Sequence, residues 1–155
     1  DFLIHPYQVS EARYYGAHGG LLIIGILNDE LLEKMILRCL EHDMFAILEV
    51  FNQSELDRAN DMIKKTDGAI DSLLLGVNCR DLKSLKVDFT NFEKLANDLP
   101  ENTICVAESG LYGSNDINKV IKMGYRAALI GTSLMQSADP QATLQKMKAA
   151  ASKSI

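Results

Sequence analysis

The sequence predicts an α/β fold built on parallel strands, and three observations carry that expectation. Short, continuous apolar runs recur along the 155 residues, each followed by a segment with apolar positions at helical spacing. Strand and helix alternate with a period of about 25 residues and short joints, the pattern of βαβ units. Four of the runs also end in polar or glycine residues of a particular kind: carboxylates, amides, hydroxyls and glycines.

The elements follow in order. Gly20 to Leu27 (GLLIIGIL) is continuous and β-branched at its centre, as expected of a strand covered on both faces. Asn28 then stands as N-cap with Asp29 and Glu30 in the first turn, and Leu31, Leu32, Met35, Ile36, Cys39 and Leu40 form one apolar helix face. Phe45 to Val50 (FAILEV) is the next strand, and Ser54 is expected to cap the helix SELDRANDMI. Leu73 to Val77 is a strand, and Phe92 to Leu99 a helix ended by Pro100. Thr103 to Ala107 is a strand, and residues 115–124 are a helix with Gly124 as its left-handed terminator. Ala127 to Ile130 is the last strand, and Asp139-Pro140 opens the final helix as N-cap and first-turn proline. An open doubly wound sheet and a (β/α)8 barrel both fit this alternation. No GxGxxG follows a strand, and GAHGG at 16–20 precedes one, which counts against a dinucleotide fold.

With 47% apolar residues the chain is long enough for one core, so a single domain over 1–155 is expected. The formal net charge of -5, with signs mixed along the chain, argues against a phosphate-backbone binder, so no nucleic-acid partner is expected. No apolar run approaches the roughly 20 residues of a membrane span, and there is no signal-peptide pattern, so the reading is cytoplasmic with no membrane partner. Cys39, Cys79 and Cys105 are odd in number and widely spaced, which favours reduced packing thiols over disulfides or zinc. The chain opens at Asp1 on the apolar DFLI with no Met, so a natural start is not expected there.

In a parallel sheet all strand C-termini point one way, so the polar strand ends are expected to share one rim. Glu49 ends FAILEV, Asn78 and Arg80 follow LLLGV, Glu108, Ser109 and Gly110 follow TICVA, and Gly131 and Thr132 follow AALI. Gly110 and Gly131 let backbone N–H groups approach an anion while Ser109 and Thr132 add hydroxyls, which suits a phosphorylated small molecule. Read singly, ESG and GTS are also ordinary turn sequences. Glu49 and Glu108 supply two carboxylates for proton transfer, or two half-solvated strand ends. Arg80 can orient a substrate carboxylate or hydroxyl, or pair with Asp81 or a glutamate. His5, His18 and His42 have no triad or metal spacing and are given no role; His42, near a helix end, reads as a surface C-terminal cation.

The segments DFLIHPYQVSEARYYGA, LLIIGIL, ILEV, LGVNCRDLKSLKVD, VAESGL and ALIGTSLM resemble, in order and spacing, the indole-3-glycerol-phosphate synthase family of tryptophan biosynthesis. The resemblance implies a (β/α)8 TIM barrel, here incomplete at about six βα units with the first two missing. It implies a lyase that converts 1-(2-carboxyphenylamino)-1-deoxyribulose 5-phosphate to indole-3-glycerol phosphate with loss of CO2 and water, using neither metal nor organic cofactor. On this sequence it implies Glu49 as general base and Asn78 and Glu108 as groups orienting the sugar hydroxyls and reacting enamine. Arg80 is implied as a holder of the carboxylates, Phe2 as a ring-packing residue, and Ser109, Gly110, Gly131 and Thr132 as the phosphate cradle. The family's general-acid lysine directly precedes the Asp-Phe that here is Asp1-Phe2, so this chain is expected to have little or no activity. Open sheet edges predict a monomer or weak self-association. Departures from the family pattern fall at His18, Gly20, Gly25 and a long joint at 61–72, away from the rim. The competing readings are a phosphoribosylanthranilate isomerase-like barrel, disfavoured because Cys105 lies inside a strand, and a non-catalytic half-barrel that only binds phosphate ligands.

Overall fold

In a computed structural model of the chain, residues 2–66 and 70–152 are described. Helices alternate with five strands among them, which stand in the sheet in the order β1-β2-β3-β4-β5. Spatial order equal to chain order leaves no point where the winding reverses, as a doubly wound sheet requires, and so favours the barrel topology. The internal contacts fall into two compact units: residues 1–76 with 100–104, and residues 77–99 with 105–155.

The first unit opens with α1 (Pro6–Tyr14), an element the periodicity does not announce because Val9 is its one buried residue. The helix is set by its cap instead. His5 Nδ1 accepts the Tyr7 N–H at 3.1 Å, the Gln8 side chain accepts the His5 N–H at 3.0 Å, and Pro6 occupies the first turn. α1 packs on α2 (Asp29–Glu41), where Ser10 Oγ lies 2.8 Å from His42 Nε2 at the C-cap. Between them β1 (Gly19–Ile23) pairs in parallel with β2 (Phe45–Val50), Gly19 facing Phe45. A Cβ on Gly19 would come within 2.3 Å of the Phe45 ring, so glycine is what lets the aromatic lie across the pair.

The expected strand Gly20 to Leu27 is too long. It leaves the sheet after Ile23, and Ile24–Ile26 form a 3-10 turn. The cause is Arg58 on α3 (Gln53–Lys65), which donates to Ile24 O at 3.0 Å, Leu27 O at 2.7 Å and Asp29 Oδ1 at 2.8 Å. Ile24 O also accepts the Leu27 N–H at 3.3 Å, so these carbonyls find their partners within the turn and on Arg58 rather than in a ladder. Gly25 leaves room for the Glu55 side chain, since a Cβ would lie 2.9 Å from Glu55 Oε1 and the carboxylate would have to shift. That same carboxylate accepts the Phe51 N–H at 2.8 Å and Asn52 Nδ2 at 2.9 Å.

Asn28 caps α2 as expected, accepting the Leu31 N–H at 2.9 Å. Ser54 does not cap α3; Asn52 does, its side chain accepting the Glu55 N–H at 3.0 Å. α3 also runs on to Lys65, so the first part of the long joint is helical, while its residues 67–69 lie outside the described ones. Leu32, Met35 and Ile36 on α2 and Leu56, Met62 and Ile63 on α3 are buried, each contributing roughly 1.5–3 kcal/mol relative to exposure.

The second unit takes up the chain within β3 (Leu73–Asn78). Arg80 and Val87 then form an antiparallel bridge, and Asp81 closes the turn between them by accepting from the Lys83 N–H and the Ser84 hydroxyl, each at 2.8 Å. α4 (Thr90–Leu95) starts earlier than expected because Asp88 Oδ1 accepts the Thr90 N–H at 3.1 Å; a 3-10 turn over Ala96–Asp98 then replaces its expected last turn. β4 (Ile104–Glu108) pairs in parallel with β5 (Ala127–Leu129), with Glu108 opposite Leu129. α5 (Ser114–Lys122) ends as expected at Gly124, φ +102°. The short α6 (Thr132–Met135) follows β5, and α7 (Pro140–Ser152) begins at Asp139, whose carboxylate accepts the Ala142 N–H at 2.9 Å. Tyr125 is buried against Phe92 with ring centroids 5.3 Å apart, and its hydroxyl donates to Phe92 O at 3.2 Å.

Candidate functional site

The second unit places a cavity of about 160 Å³ at the ends of β4 and β5, lined by Arg80, Ser109, Gly110, Gly131, Thr132 and Ser133 among others. Five of the residues singled out in the sequence therefore meet in one place. Asn78 and Glu108 are buried at the last positions of β3 and β4, 6% and 2% exposed, and do not line it. Phe2 and Glu49 belong to the first unit. There Phe2 is 61% exposed, whereas Glu49 is buried beside the end of β2, in register with Ile23.

The loop after β4 is shaped by its backbone. Ser109 and Gly110 are consecutive left-handed residues, φ +66° and +63°, so the chain reverses sharply once Glu108 has been placed. Left-handed backbone costs a serine energy that a glycine does not pay. Gly110 is also sterically fixed, since a Cβ would lie 2.6 Å from Cys79 Sγ and 2.9 Å from Val87 Cγ1. The Cys79 N–H donates to Glu108 O at 3.0 Å, which ties the segment after β3 to the end of β4. Asn78 holds the same segment from the other side, its Oδ1 accepting the Arg80 N–H at 2.9 Å and its carbonyl accepting from Asn91 at 3.0 Å.

Gly131 is a different kind of glycine. Its φ is -120°, and a Cβ would meet nothing within 4 Å. Packing within the chain does not demand a glycine there, and the open space borders the cavity. The N–H groups of Gly110, Gly131 and Thr132 have no hydrogen-bond acceptor among the described residues. Backbone donors without acceptors among the described residues, set around a small concavity, suit an anion.

Arg80 brings the cation. It is half-buried, and its Nη1 donates to Leu85 O at 3.1 Å, so the guanidinium is held by the hairpin it starts. Asp81 is not its ion-pair partner: hydrogen bonds from the Lys83 N–H and the Ser84 hydroxyl occupy that carboxylate and hold its pKa below the usual range. The three cysteines are buried thiols, each pushed up to about 11 by burial. Cys105 lies inside β4 near Tyr125, whose hydroxyl burial pushes well above its ordinary pKa, so neither is an acid–base group near neutral pH. Ser133 was not visible from the sequence, because a hydroxyl in GTSLM does not disclose which carbonyl it reaches.

A family model described as indole-3-glycerol phosphate synthase matches residues 1–147. The indole-3-glycerol phosphate synthase of Mycolicibacterium smegmatis is 40% identical over 144 residues, covering 93% of this chain and 50% of that one. That of Streptomyces griseus is 37% identical over 150 residues, covering 97% and 53%. The chain thus spans about half the length of the curated relatives it matches. Among solved structures, 3-hexulose-6-phosphate synthase from Salmonella typhimurium superposes with TM-score 0.76 at 11% identity, over 96% of this chain and 68% of that one. A mandelate oxidase gives TM-score 0.66 at 13% identity, over 96% and 52%. At these identities the structural likeness establishes the fold: α/β of the TIM-barrel type, represented by five strands among the described residues.

Proposed function

Because the chain belongs to the indole-3-glycerol-phosphate synthase family, we propose that it carries the phosphate-binding part and several catalytic groups of that family's ring closure. The substrate is 1-(2-carboxyphenylamino)-1-deoxyribulose 5-phosphate. A carbon–carbon bond forms between the aromatic ring and the sugar carbonyl, carbon dioxide leaves the ring, and water leaves the former carbonyl carbon. The observation that carries the reading is the cavity in which Arg80 and the two glycine loops meet.

In this reading the Gly110, Gly131 and Thr132 N–H groups and the Ser109 hydroxyl hold the phosphate, and Arg80 supplies the opposing charge. Glu108 and Asn78 orient the reacting sugar, Glu49 takes the proton removed as water departs, and Phe2 packs on the aromatic ring. Anchoring by a remote phosphate lets binding energy restrain the reacting carbons, which favours the transition state over a loosely held ground state. The reading needs no metal or organic cofactor. It places the protein in the cytoplasm; no helix among the described residues is long and apolar enough to cross a membrane.

Ring closure also needs an acid to protonate the carbonyl oxygen. No lysine stands within four residues of the end of any of the five strands, Lys83 after β3 is exposed in the Asp81 turn, and arginine does not release its proton near neutral pH. The polypeptide 1–155 is therefore expected to bind the product and to turn over substrate slowly or not at all. Calorimetric titration with indole-3-glycerol phosphate tests this. Arg80→Met is expected to weaken binding by about tenfold or more, the loss of a charge-assisted contact. Equal affinity in Arg80→Met and the parent would remove Arg80 from the site, and turnover at the rate of a full-length relative would show that a lysine acid is not needed.

A further inference from the structure

The Ser133 hydroxyl donates to Leu111 O at 2.8 Å, and this bond joins the two loops that line the cavity. Leu111 directly follows the left-handed pair Ser109-Gly110, and its side chain is buried, so its carbonyl is a fixed point. Ser133 follows Gly131 and Thr132 and is half-buried in α6. We infer that Ser133 is a positioning residue for phosphate: it sets the spacing between the Gly110 N–H and the N–H groups of Gly131 and Thr132 through the Leu111 carbonyl.

The geometry supports this over a purely structural role. A tetrahedral anion gripped by donors from two loops needs both at one separation, and displacements well under 1 Å lengthen such bonds past their useful range. The loop after β4 has its own restraints: Gly110 is wedged beside Cys79 and Val87, and the Tyr112 N–H donates to Asp116 Oδ2 at 3.0 Å. The loop after β5 is tied on its far side to α7, where Ser137 Oγ lies 2.8 Å from Thr143 Oγ1. α6 is four residues long, and Gly131 touches nothing on its Cβ side, so among the described residues the Ser133 hydroxyl is a side-chain restraint that α6 places on the other loop.

The inference rests on the phosphate reading of the cavity, and the experiment separates the two. Inorganic phosphate is titrated into the 155-residue chain and into Ser133→Ala and Ser133→Thr, followed by amide NMR, with thermal melting run in parallel. Ser133→Ala is expected to bind phosphate about five- to tenfold more weakly, the effect of one hydrogen bond. Its melting temperature should stay within about 4 °C of the parent, and Ser133→Thr, which keeps the hydroxyl, should restore affinity. If the parent shows no shift at Gly110 or Gly131, the phosphate reading fails and the inference with it. If the parent binds and Ser133→Ala binds equally well, the positioning role alone is overturned. A parallel measurement needs no variant: in the parent, phosphate should slow amide exchange at Gly110 and at Gly131 together, and protection confined to one loop contradicts the coupling.

Discussion

At the scale of single residues, the two cavity glycines separate folding from function. Gly110→Ala places a methyl against Cys79 Sγ and Val87 Cγ1 on left-handed backbone, and is expected to cost roughly 2–4 kcal/mol in urea unfolding. Gly131→Ala meets open space and should leave stability within about 0.5 kcal/mol while weakening phosphate binding. The reverse pattern would make Gly131 a folding residue and the cavity incidental. The buried thiols give a pH prediction with a defined sign. A thiol raised from 9.0 to about 11 favours its neutral form in the folded chain. It contributes stability that is complete below the unfolded value and lost as pH rises through the folded one. Melting temperature should thus fall between pH 9 and 11, more steeply than in a chain with the three cysteines replaced by alanine. Much of the cavity was legible at this scale, because glycine and hydroxyl types recur together at the ends of two successive strands. Ser133 was not, since its meaning lies in a carbonyl 22 positions away. The Asp81 alternative for Arg80 also looked reasonable until the turn was seen to occupy that carboxylate.

At the scale of elements, hydrophobic period carried most of the assignment and side-chain hydrogen bonds accounted for the misses. β2, α2 and the start of α7 stand where their apolar runs and caps put them. α1 was invisible because one buried residue makes no stripe, although Pro6 and Gln8 around His5 are a readable start signal. The overlong first strand shows the opposite failure: GLLIIGIL is apolar throughout, and nothing in its composition says that Arg58, 31 residues beyond Leu27, takes its carbonyls. Arg58→Met keeps the aliphatic stem and removes three hydrogen bonds. It should destabilise the chain by roughly 2–3 kcal/mol, read as a lowered urea midpoint at unchanged slope. An effect below about 0.5 kcal/mol would mean that the turn at Ile24–Ile26 is held by the backbone alone.

At the scale of the whole molecule, the order β1-β2-β3-β4-β5 leaves β1 and β5 as the outer strands of the sheet, and Ala128 and Leu129 on β5 are exposed. Unpaired strand edges of this kind favour association, so sedimentation should show a concentration-dependent shift above the monomer mass of 17.2 kDa. A monomer at all concentrations would show that the edges are shielded. The α/β class and strand order could be read from the sequence because each strand is followed by its own helix, and the family match over residues 1–147 agrees with the motif reading. Whether the chain forms one domain is not decided by that pattern, and its contacts fall into two units. The claim on which the rest depends is that the loops after β4 and β5 form one phosphate site. An amide NMR titration with indole-3-glycerol phosphate tests it most directly: saturable shifts at Gly110, Gly131 and Thr132 in a well-dispersed spectrum are the predicted result, and a dispersed spectrum in which those three amides do not move would contradict it.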